Sequence, residues 1–161
     1  AMPGENSVVE FYGKGPFENY CDRNSAALVG LYSQRIEDQY NWGYVRPQES
    51  GTKTELKWMK VTDENGCGFM VKSDVRFSAS ALPFSAKEMD VRVQKNNQAH
   101  SLELKALAHE NERSLGKTWV NFDLVQMGLG CVNSWGALPR EEYRVAAQPY
   151  EFRFEIRPLN N

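Results

Sequence analysis

The chain has 161 residues, a length typical of one domain with its own hydrophobic core. The formal net charge is −2 at pH 7, and the basic residues are scattered, which argues against a nucleic-acid groove because such grooves cluster Lys and Arg. No apolar run approaches the roughly 20 residues that span a bilayer, so neither nucleic acid nor a membrane is expected as a partner. Aromatic residues make up 12% of the chain, a share that suits a β-rich fold.

The ends and the cysteines of the chain set expectations about its context. The opening AMPG lacks the basic-then-apolar pattern of a signal peptide, and we interpret residues 1–2 as an expression remnant. We expect residues 1–161 to form one β-sandwich domain, a fragment of a larger polypeptide, and this fragment leaves cytoplasm and periplasm open as compartments. Cys21, Cys67 and Cys131 are odd in number and form no CxxC pair, so three free thiols are expected.

In chain order, the first predicted elements are a strand, a helix and a loop. VVEFY at residues 8–12 indicates a strand because β-branched and aromatic side chains pack well on a pleated surface. At residues 24–31 we expect a short helix that Asp22 caps and Gly30 limits. The Pro and Gly of YVRPQESG, residues 44–51, then predict a loop.

A β-hairpin is predicted next. KTELKWMKV alternates polar and apolar side chains, so we expect a strand with Leu56 and Trp58 on one face and Met59 and Val61 on the other. The turn signal DENG and the apolar GFMV follow directly. Residues 53–71 are therefore predicted to form two antiparallel strands.

The second half of the chain is predicted to be mostly strand. We expect strands at residues 75–81, 101–109, 117–128 and 150–158, and one helical turn at residues 85–90. The last strand is the clearest, because YEFRFEIRP alternates aromatic or apolar side chains with charged ones. Many short strands separated by turn signals, with little helix, indicate an antiparallel all-β sandwich.

Few patterns in the chain point to catalysis. Paired carboxylates for glycoside hydrolysis would have to come from Glu18 with Asp22, or from Glu49. We favour structural roles for these acids, with Asp22 as an ion-pair partner of Arg23 or as a helix cap. The two histidines are isolated, and neither has a second ligand at a metal-binding spacing.

One tryptophan stands in a segment with the composition of a loop. Trp135 lies in GCVNSWGALP, residues 130–139, where glycine, asparagine and proline favour turns and exposed backbone. An exposed indole offers a flat apolar face to the C–H face of a pyranose, and Asn133 and Ser134 would supply hydrogen bonds to sugar hydroxyls. Core packing of the same ring remains the alternative.

Three motifs carry a resemblance to a known family. YGKGPFENYCDR, YVRPQESG and MGLGCVNSWGALP, in this order and spacing, resemble the C-terminal domain, or small chain, of the large bacterial β-galactosidases of glycoside hydrolase family 2. With the final YEFRFEI, the resemblance covers nearly the whole chain. This sequence departs from the family pattern at Val132 and Asn133, where many relatives carry two acidic residues, and at Cys21, where many carry proline.

The resemblance implies both a fold and a role. The implied fold is an antiparallel β-supersandwich similar to the galactose mutarotase superfamily, of which this chain is the C-terminal part. The implied parent enzyme hydrolyses terminal β-galactosides with glutamates on a separate TIM barrel. Trp135 would then stack on the aglycone sugar, such as the glucose of lactose, at the mouth of that active site.

The resemblance also implies roles for the remaining motif residues and for partners. No cofactor is expected in this chain, because the parent enzymes use Mg and Na at sites in other domains, and the full enzyme is expected to be a homo-oligomer. Buried hydrogen bonds from Glu18, Asn19, Arg23 and Glu49 would hold the irregular loops. These motif residues are Glu18, Asn19, Asp22, Arg23, Arg46 and Glu49.

Two other functions remain as alternatives to an accessory domain of a β-galactosidase. In a free-standing carbohydrate-binding module, Trp135 would form a sugar platform with Trp42 or Trp58. In a purely structural or oligomerisation domain, the ring of Trp135 would be packed inside.

Overall fold

The structure is a computed structural model that describes residues 2–3, 8–41, 43–44, 50–83, 85, 92–94, 97–98, 117–130 and 136–160. Within these ranges the chain forms strands and two short 3₁₀ turns, and no α-helix. The 3₁₀ turns are Ile36–Asp38 and Glu141–Tyr143. The strands are β1 (Met2–Pro3), β2 (Val8–Gly15), β3 (Leu28–Arg35), β4 (Lys53–Thr62), β5 (Gly68–Leu82), β6 (Arg92–Gln94), β7 (Asn97–Gln98), β8 (Lys117–Asp123) and β9 (Glu155–Leu159).

Seven of these strands form one antiparallel sheet. Its order is β1-β8-β5-β4-β2-β3, and β9 also pairs with β5, while β6 and β7 pair with each other. The 15-residue β5 is the centre, because β4 pairs along one edge while β9 and β8 share the other. β9 takes Gly68–Lys72 and β8 takes Ser78–Leu82. The predicted all-β antiparallel class is confirmed.

The β4–β5 hairpin is confirmed, and its turn is closed by Asp63. The carboxylate of Asp63 accepts the backbone N–H groups of Asn65 and Cys67, each at 2.8 Å. This side-chain bonding to the backbone two and four residues on is how Asp favours turns. The strand predicted at residues 75–81 is the second half of β5.

The predicted faces of β4 are wrong. Leu56, Met59 and Val61 are all buried in the same core cluster, whereas Trp58 is only half-buried. The pairing with β5 shifts register on both sides of Leu56, and Glu55 has a φ of 55°. A bulge that inserts an extra residue reverses the alternation of side chains, so the residues after it face the opposite way from the sequence pattern.

The predicted helix at residues 24–31 is also wrong, because residues 24–27 are loop and turn and residues 28–31 belong to β3. All eight residues of β3 pair in continuous register with β2, from Leu28 opposite Gly15 to Arg35 opposite Val8. A short apolar run that contains glycine and valine has weak helix propensity, and pairing with a neighbouring strand outweighs it. Asp22 therefore caps no helix here.

The C-terminal strands are shorter than predicted. The segment predicted at residues 117–128 ends as β8 at Asp123, and the one at residues 150–158 becomes a strand only at Glu155. Before that point Phe152 packs its ring 6.0 Å from the ring of the buried Phe77. The helical turn and the strand predicted at 85–90 and 101–109 lie outside the described residues, apart from Ser85.

Apolar side chains remain exposed on the outer strands of the sheet. Leu28 and Leu31 of β3 are 72% and 68% exposed, and Ile156 of β9 is 56% exposed. Scattered exposed apolar residues are ordinary, but Val29 and Leu31 are exposed on the same face of the edge strand β3, as on a surface that meets other protein. No helix in the described part of the chain is long and apolar enough to cross a membrane.

Candidate functional site

The ENYCDR motif forms a tight turn between β2 and β3. The N–H of Arg23 donates to the carbonyl of Tyr20 at 2.8 Å, and the N–H of Tyr20 donates back to the carbonyl of Arg23 at 3.3 Å. These reciprocal bonds leave Cys21 and Asp22 at the tip of the turn. We call residues 18–23, which include this turn, the ENYCDR turn.

Asn19 fastens this turn to the sheet. Its side chain is fully buried, and the amide donates to the carbonyls of Lys14 at 3.0 Å and Phe17 at 3.1 Å. Its side-chain oxygen accepts the backbone N–H of Thr54 at 3.2 Å and, in a close contact, the Thr54 hydroxyl. Two donors and two acceptor positions are all that an asparagine side chain has, so Asn19 is fully satisfied.

Glu18 joins the turn to the loop that precedes β4. Its Oε2 accepts the N–H of Gly51 at 2.9 Å, and its Oε1 accepts from Arg23 at 3.1 Å and, closely, from the phenol of Tyr44. Burial, together with the bonded Glu18, raises the pKa of the Tyr44 phenol. One buried carboxylate therefore holds both described ends, Tyr44 and Gly51, of the YVRPQESG loop.

A buried lysine completes this side of the site. Lys53 is 2% exposed, and its Nζ donates to Oε1 of Gln39 at 2.9 Å and to the carbonyl of Gly51 at 3.1 Å. Burial lowers the pKa of Lys53 to about 8, and the nearby charge of Glu18 opposes that shift. The ammonium also lies 5.7 Å from the ring centroid of Phe11. We call Glu18, Tyr44, Gly51 and Lys53 the Glu18 cluster.

The tip of the ENYCDR turn contacts a second loop. The Oδ2 of Asp22 accepts the N–H of Gly130, and the thiol of Cys21 donates to the carbonyl of Gln126 at 3.5 Å. Burial raises the pKa of the Cys21 thiol, which keeps it protonated and able to donate. The segment at residues 126–130 is thus bonded at both ends to two adjacent residues of the turn.

This second loop is closed at its base. The N–H of Gly128 donates to the carbonyl of Tyr143 at 2.8 Å. On the far side, the Nε of Arg144 donates to the carbonyl of Pro139 at 2.7 Å. Gly128 and Tyr143, which lie on either side of residues 129–142, are therefore held next to each other.

Two glycines permit the close approach of Asp22. A Cβ placed on Gly128 would lie 2.5 Å from Oδ2 of Asp22 and 2.8 Å from Cβ of Tyr143. A Cβ on Gly130 would lie 2.9 Å from the same oxygen. Any side chain at either position would displace the carboxylate or the loop. We call Asp22, Gly128 and Gly130 the Asp22 contact.

A cavity of about 340 Å³ lies beside the Asp22 contact. Its lining includes Arg76 and Arg144, whose side chains donate to the backbone carbonyls of Glu55 and Pro139. Both guanidinium groups bond to protein backbone, so we interpret the cavity as a gap between β5 and the loop.

The residues proposed to touch sugar lie outside the described residues. These are Trp135, Asn133 and Ser134, and the same holds for the motif residues Arg46 and Glu49. The flanking Gly136 is described, and its φ of +90° is a conformation that favours glycine.

Neither described candidate carboxylate is arranged for acid–base chemistry. Both oxygens of Glu18 accept hydrogen bonds, and one oxygen of Asp22 is bonded to the backbone. The predicted ion pair of Asp22 with Arg23 does not form, since Arg23 pairs with Glu18. Among the described residues, no group of three or more His, Cys, Asp or Glu side chains is placed to hold a metal ion.

Sequence reasoning did not single out Lys53, Tyr44 or Gly128 as parts of these clusters. The spacing of glycines in MGLG was the one available signal, because paired glycines often mark close backbone approach.

Comparisons with known proteins identify the family. A model of the β-galactosidase small chain family matches residues 1–156. The chain is 33% identical over 150 residues to a β-galactosidase of Priestia megaterium, covering 92% of this chain and 13% of that protein. It is 34% identical over 157 residues to one of Halalkalibacterium halodurans, covering 96% and 14% respectively.

A third relative gives the same result. The β-galactosidase of Lactobacillus delbrueckii subsp. bulgaricus is 31% identical over 160 residues, or 99% of this chain and 14% of that protein. The chain therefore spans only 13–14% of the length of these relatives. The ENYCDR turn, the sheet that holds it and the match over residues 1–156 together place this chain in the β-galactosidase small chain family.

Proposed function

We propose that the chain is an accessory domain of a β-galactosidase that hydrolyses terminal β-D-galactosides, with the catalytic glutamates on a TIM-barrel domain of the same polypeptide. The supporting observation is the family match over residues 1–156, to relatives called β-galactosidase of which the chain spans 13–14%. The exposed apolar side chains of β3 and β9 are compatible with a surface that packs on the rest of such a polypeptide.

The contribution of this chain to the active site is the indole of Trp135. It stacks on the aglycone sugar of a lactose-type substrate, and Asn133 and Ser134 bond that sugar's hydroxyls. The geometry that supports this role is the fixed base of the loop, where Gly128 bonds to Tyr143. A ring can select a sugar orientation only if its loop has a defined position.

The chain itself performs no hydrolysis. Retaining glycosidases need two carboxyl groups about 5–5.5 Å apart, one of them free to exchange a proton with the leaving group. Glu18 is engaged by the Gly51 amide, Arg23 and Tyr44, and Asp22 by a backbone amide, so both carboxylates serve the scaffold.

A free-standing carbohydrate-binding module is less well supported. One candidate for its platform, Trp58, has the ammonium of Lys60 5.3 Å from its ring centroid. This cation occupies space over the face that a sugar would need.

Two sets of measurements, one on the 161-residue chain and one on the full-length enzyme, test the proposal. The 161-residue chain should not hydrolyse a nitrophenyl β-galactoside and should show no calorimetric binding of lactose tighter than millimolar, whereas hydrolysis or tight binding would contradict an accessory role. In the full-length enzyme, Trp135→Ala should raise the KM for lactose and reduce transfer of galactose to added glucose. Trp58→Phe is the matched control, and unchanged lactose kinetics in Trp135→Ala would show that the assigned role is wrong.

A further inference from the structure

We propose that β3 is a self-complementary edge through which two copies of this protein pair, so that their sheets join into one antiparallel sheet across a two-fold axis at Gly30. The partner is a second copy of the chain, held by main-chain hydrogen bonds and by apolar side chains that meet on both faces. This pairing does not depend on the role proposed for Trp135, because it uses only residues of β3.

The first observation is that one backbone edge of β3 is open. All eight residues of β3 pair with β2, and β3 is the last strand in the order of the described sheet. In a strand that is paired on one side only, every second residue directs its N–H and C=O groups away from its neighbour. These outward groups of Leu28–Arg35 have no strand partner in the described part of the chain.

The second observation is that this edge lacks the features that discourage pairing. Natural edge strands are protected by proline, by charged side chains or by bulges. Residues 28–34, LVGLYSQ, contain no proline and no charge, and their register with β2 is continuous. The outer strand β9, by contrast, contains Glu155, Arg157 and Pro158, and β1 is only two residues long. Among the described strands, β3 is therefore the edge best suited to accept another strand.

The third observation is that the apolar pattern of β3 is symmetric about Gly30. Val29 and Leu31 flank the glycine on one face, and Leu28 and Tyr32 flank it on the other. In an antiparallel pair centred on Gly30, Val29 lies opposite Leu31 of the second copy, and Leu28 lies opposite its Tyr32. The two-fold axis repeats both contacts. Because a two-fold interface needs one patch that matches itself, this symmetry favours a second copy over an unrelated strand.

The neighbouring registers join fewer apolar residues. A pair centred on Leu31 would place Val29 opposite Ser33, so that an apolar side chain would meet a polar one. A pair centred on Val29 would place Leu31 opposite Ala27, which lies before the start of β3. The register centred on Gly30 is therefore the one that cross-strand packing favours.

The environment of these side chains is consistent with burial by a copy. Leu28, Val29 and Leu31 are exposed in the single chain. Tyr32 is held in place, because its ring lies 5.3 Å from that of the buried Phe11 and its hydroxyl donates to the carbonyl of Leu28 at 2.9 Å. Pairing at the edge covers these side chains from the side, and it leaves the outer face of the sheet free to pack on the rest of a longer polypeptide.

Sedimentation of the 161-residue chain tests the pairing. Leu31→Lys places an ammonium group opposite Val29 of the copy at both contacts and should weaken self-association by about tenfold. Ile156→Lys is the matched control, since Ile156 is an exposed apolar residue of β9, and it should associate as the wild type does. A wild-type chain that stays monomeric at about 1 mM, or equal weakening in both variants, would overturn the proposal.

Cysteine pairs test the register. In a pair centred on Gly30, the Cα atoms of residue 29 and of residue 31 in the copy lie about 4.5–5.5 Å apart, within reach of a disulfide. A mixture of Val29→Cys and Leu31→Cys chains should therefore form a mixed disulfide dimer in oxidised glutathione. Either variant alone should cross-link much less, because identical positions are displaced by about 7 Å along the strands.

Two further samples complete this experiment. The parent chain contains Cys21, Cys67 and Cys131, so it measures any disulfide between native cysteines. Co-expressed full-length enzymes with Val29→Cys and Leu31→Cys should give the same mixed disulfide as the 161-residue chains. Equal cross-linking of the mixture and the single variants would overturn the register. A mixed disulfide that forms in the 161-residue chains but not in the full-length enzyme would show that another part of the polypeptide covers β3, and would overturn the pairing while leaving the proposed function intact.

Discussion

The ENYCDR turn holds two loops in two different ways. On the Glu18 side, a carboxylate that is 8% exposed has both oxygens engaged, and the neighbouring Lys53 ammonium is buried as well. On the Asp22 side, a half-buried residue makes one bond to the backbone of Gly130 and keeps one oxygen without a partner in the described structure.

This difference predicts that the Glu18 cluster mainly affects the stability of the chain, whereas the Asp22 contact mainly affects the position of the loop at residues 126–130. Removing a partner from a buried, satisfied network leaves polar groups without hydrogen bonds, which costs about 1–3 kcal/mol for each group. Removing a bond near the surface costs less, because water replaces it. We therefore expect the loss of hydrogen bonds in the Glu18 cluster to lower the free energy of unfolding more than the loss of the Asp22 contact does.

The largest expected effect is that of Gly51→Ala. Gly51 has a φ of +81°, and a Cβ there would lie 2.7 Å from the carbonyl oxygen of Gln39. Left-handed strain and overpacking together should lower the free energy of unfolding by roughly 2–5 kcal/mol in a denaturant titration. Gly136→Ala is the matched control, since its φ is +90° but its Cβ would meet nothing within 4 Å. Equal losses in both variants would contradict this difference.

The next effect is a pH dependence from Lys53. Its pKa is about 8 in the folded chain and 10.5 ordinarily, so unfolding takes up a proton between those pH values. The penalty for burying the charge is constant below pH 8 and disappears as pH rises to 10.5. The free energy of unfolding should therefore rise in that window by about 3 kcal/mol relative to Lys53→Met.

The measurement for Lys53 is denaturant unfolding at several pH values. Lys57→Met, at an exposed position of the same strand, should follow the wild-type curve. Parallel curves for wild type and Lys53→Met across the window would show that the Lys53 ammonium is not desolvated.

A smaller effect is expected from Glu18→Gln, which keeps the shape of the side chain but loses its charge. One of its two acceptor oxygens becomes an NH₂ donor, so a bond to the Gly51 amide or to Tyr44 weakens, at about 1–2 kcal/mol. Because the charge of Glu18 raises the pKa of Lys53, that pKa should fall further. The pH window measured for Lys53 should then begin at a lower pH in Glu18→Gln, and an unmoved window would argue against this coupling.

The smallest stability effect should be that of Asp22→Ala, at about 1 kcal/mol, because the lost bond lies near the surface. Chemical denaturation of the 161-residue chain measures it beside Glu18→Ala, which should lose more. A reversed order would show that the Asp22 contact, and not the Glu18 cluster, holds the fold.

The sequence predicted those elements that depend on local pattern. The β4–β5 hairpin follows from the alternation around the DENG turn, and VVEFY became the first part of β2. The faces of β4 could not be predicted, because the bulge at Glu55 is set by pairing with β5. The strand β3 was mistaken for a helix, since ALVGLY fits either period and only its pairing with β2 decides.

The site shows the same division between local and distant causes. The polar residues of ENYCDR stand out in the sequence, and in the structure Glu18 bonds Arg23 while Asn19 ties the turn to β4 through Thr54. The partner of Asp22 could not be found from its neighbours, because Gly130 lies 108 residues away. Contacts at that separation depend on how the whole sheet assembles.

The bond between Gly128 and Tyr143 has a practical consequence for sequence exchange in this loop. Because Gly128 and Tyr143 lie outside the pentapeptide at 131–135, that pentapeptide can be exchanged for those of relatives while both partners of this bond are kept. Libraries confined to these five positions would test what the pentapeptide contributes while Asp22 and Tyr143 stay unchanged. The unit of exchange is thus much smaller than the domain.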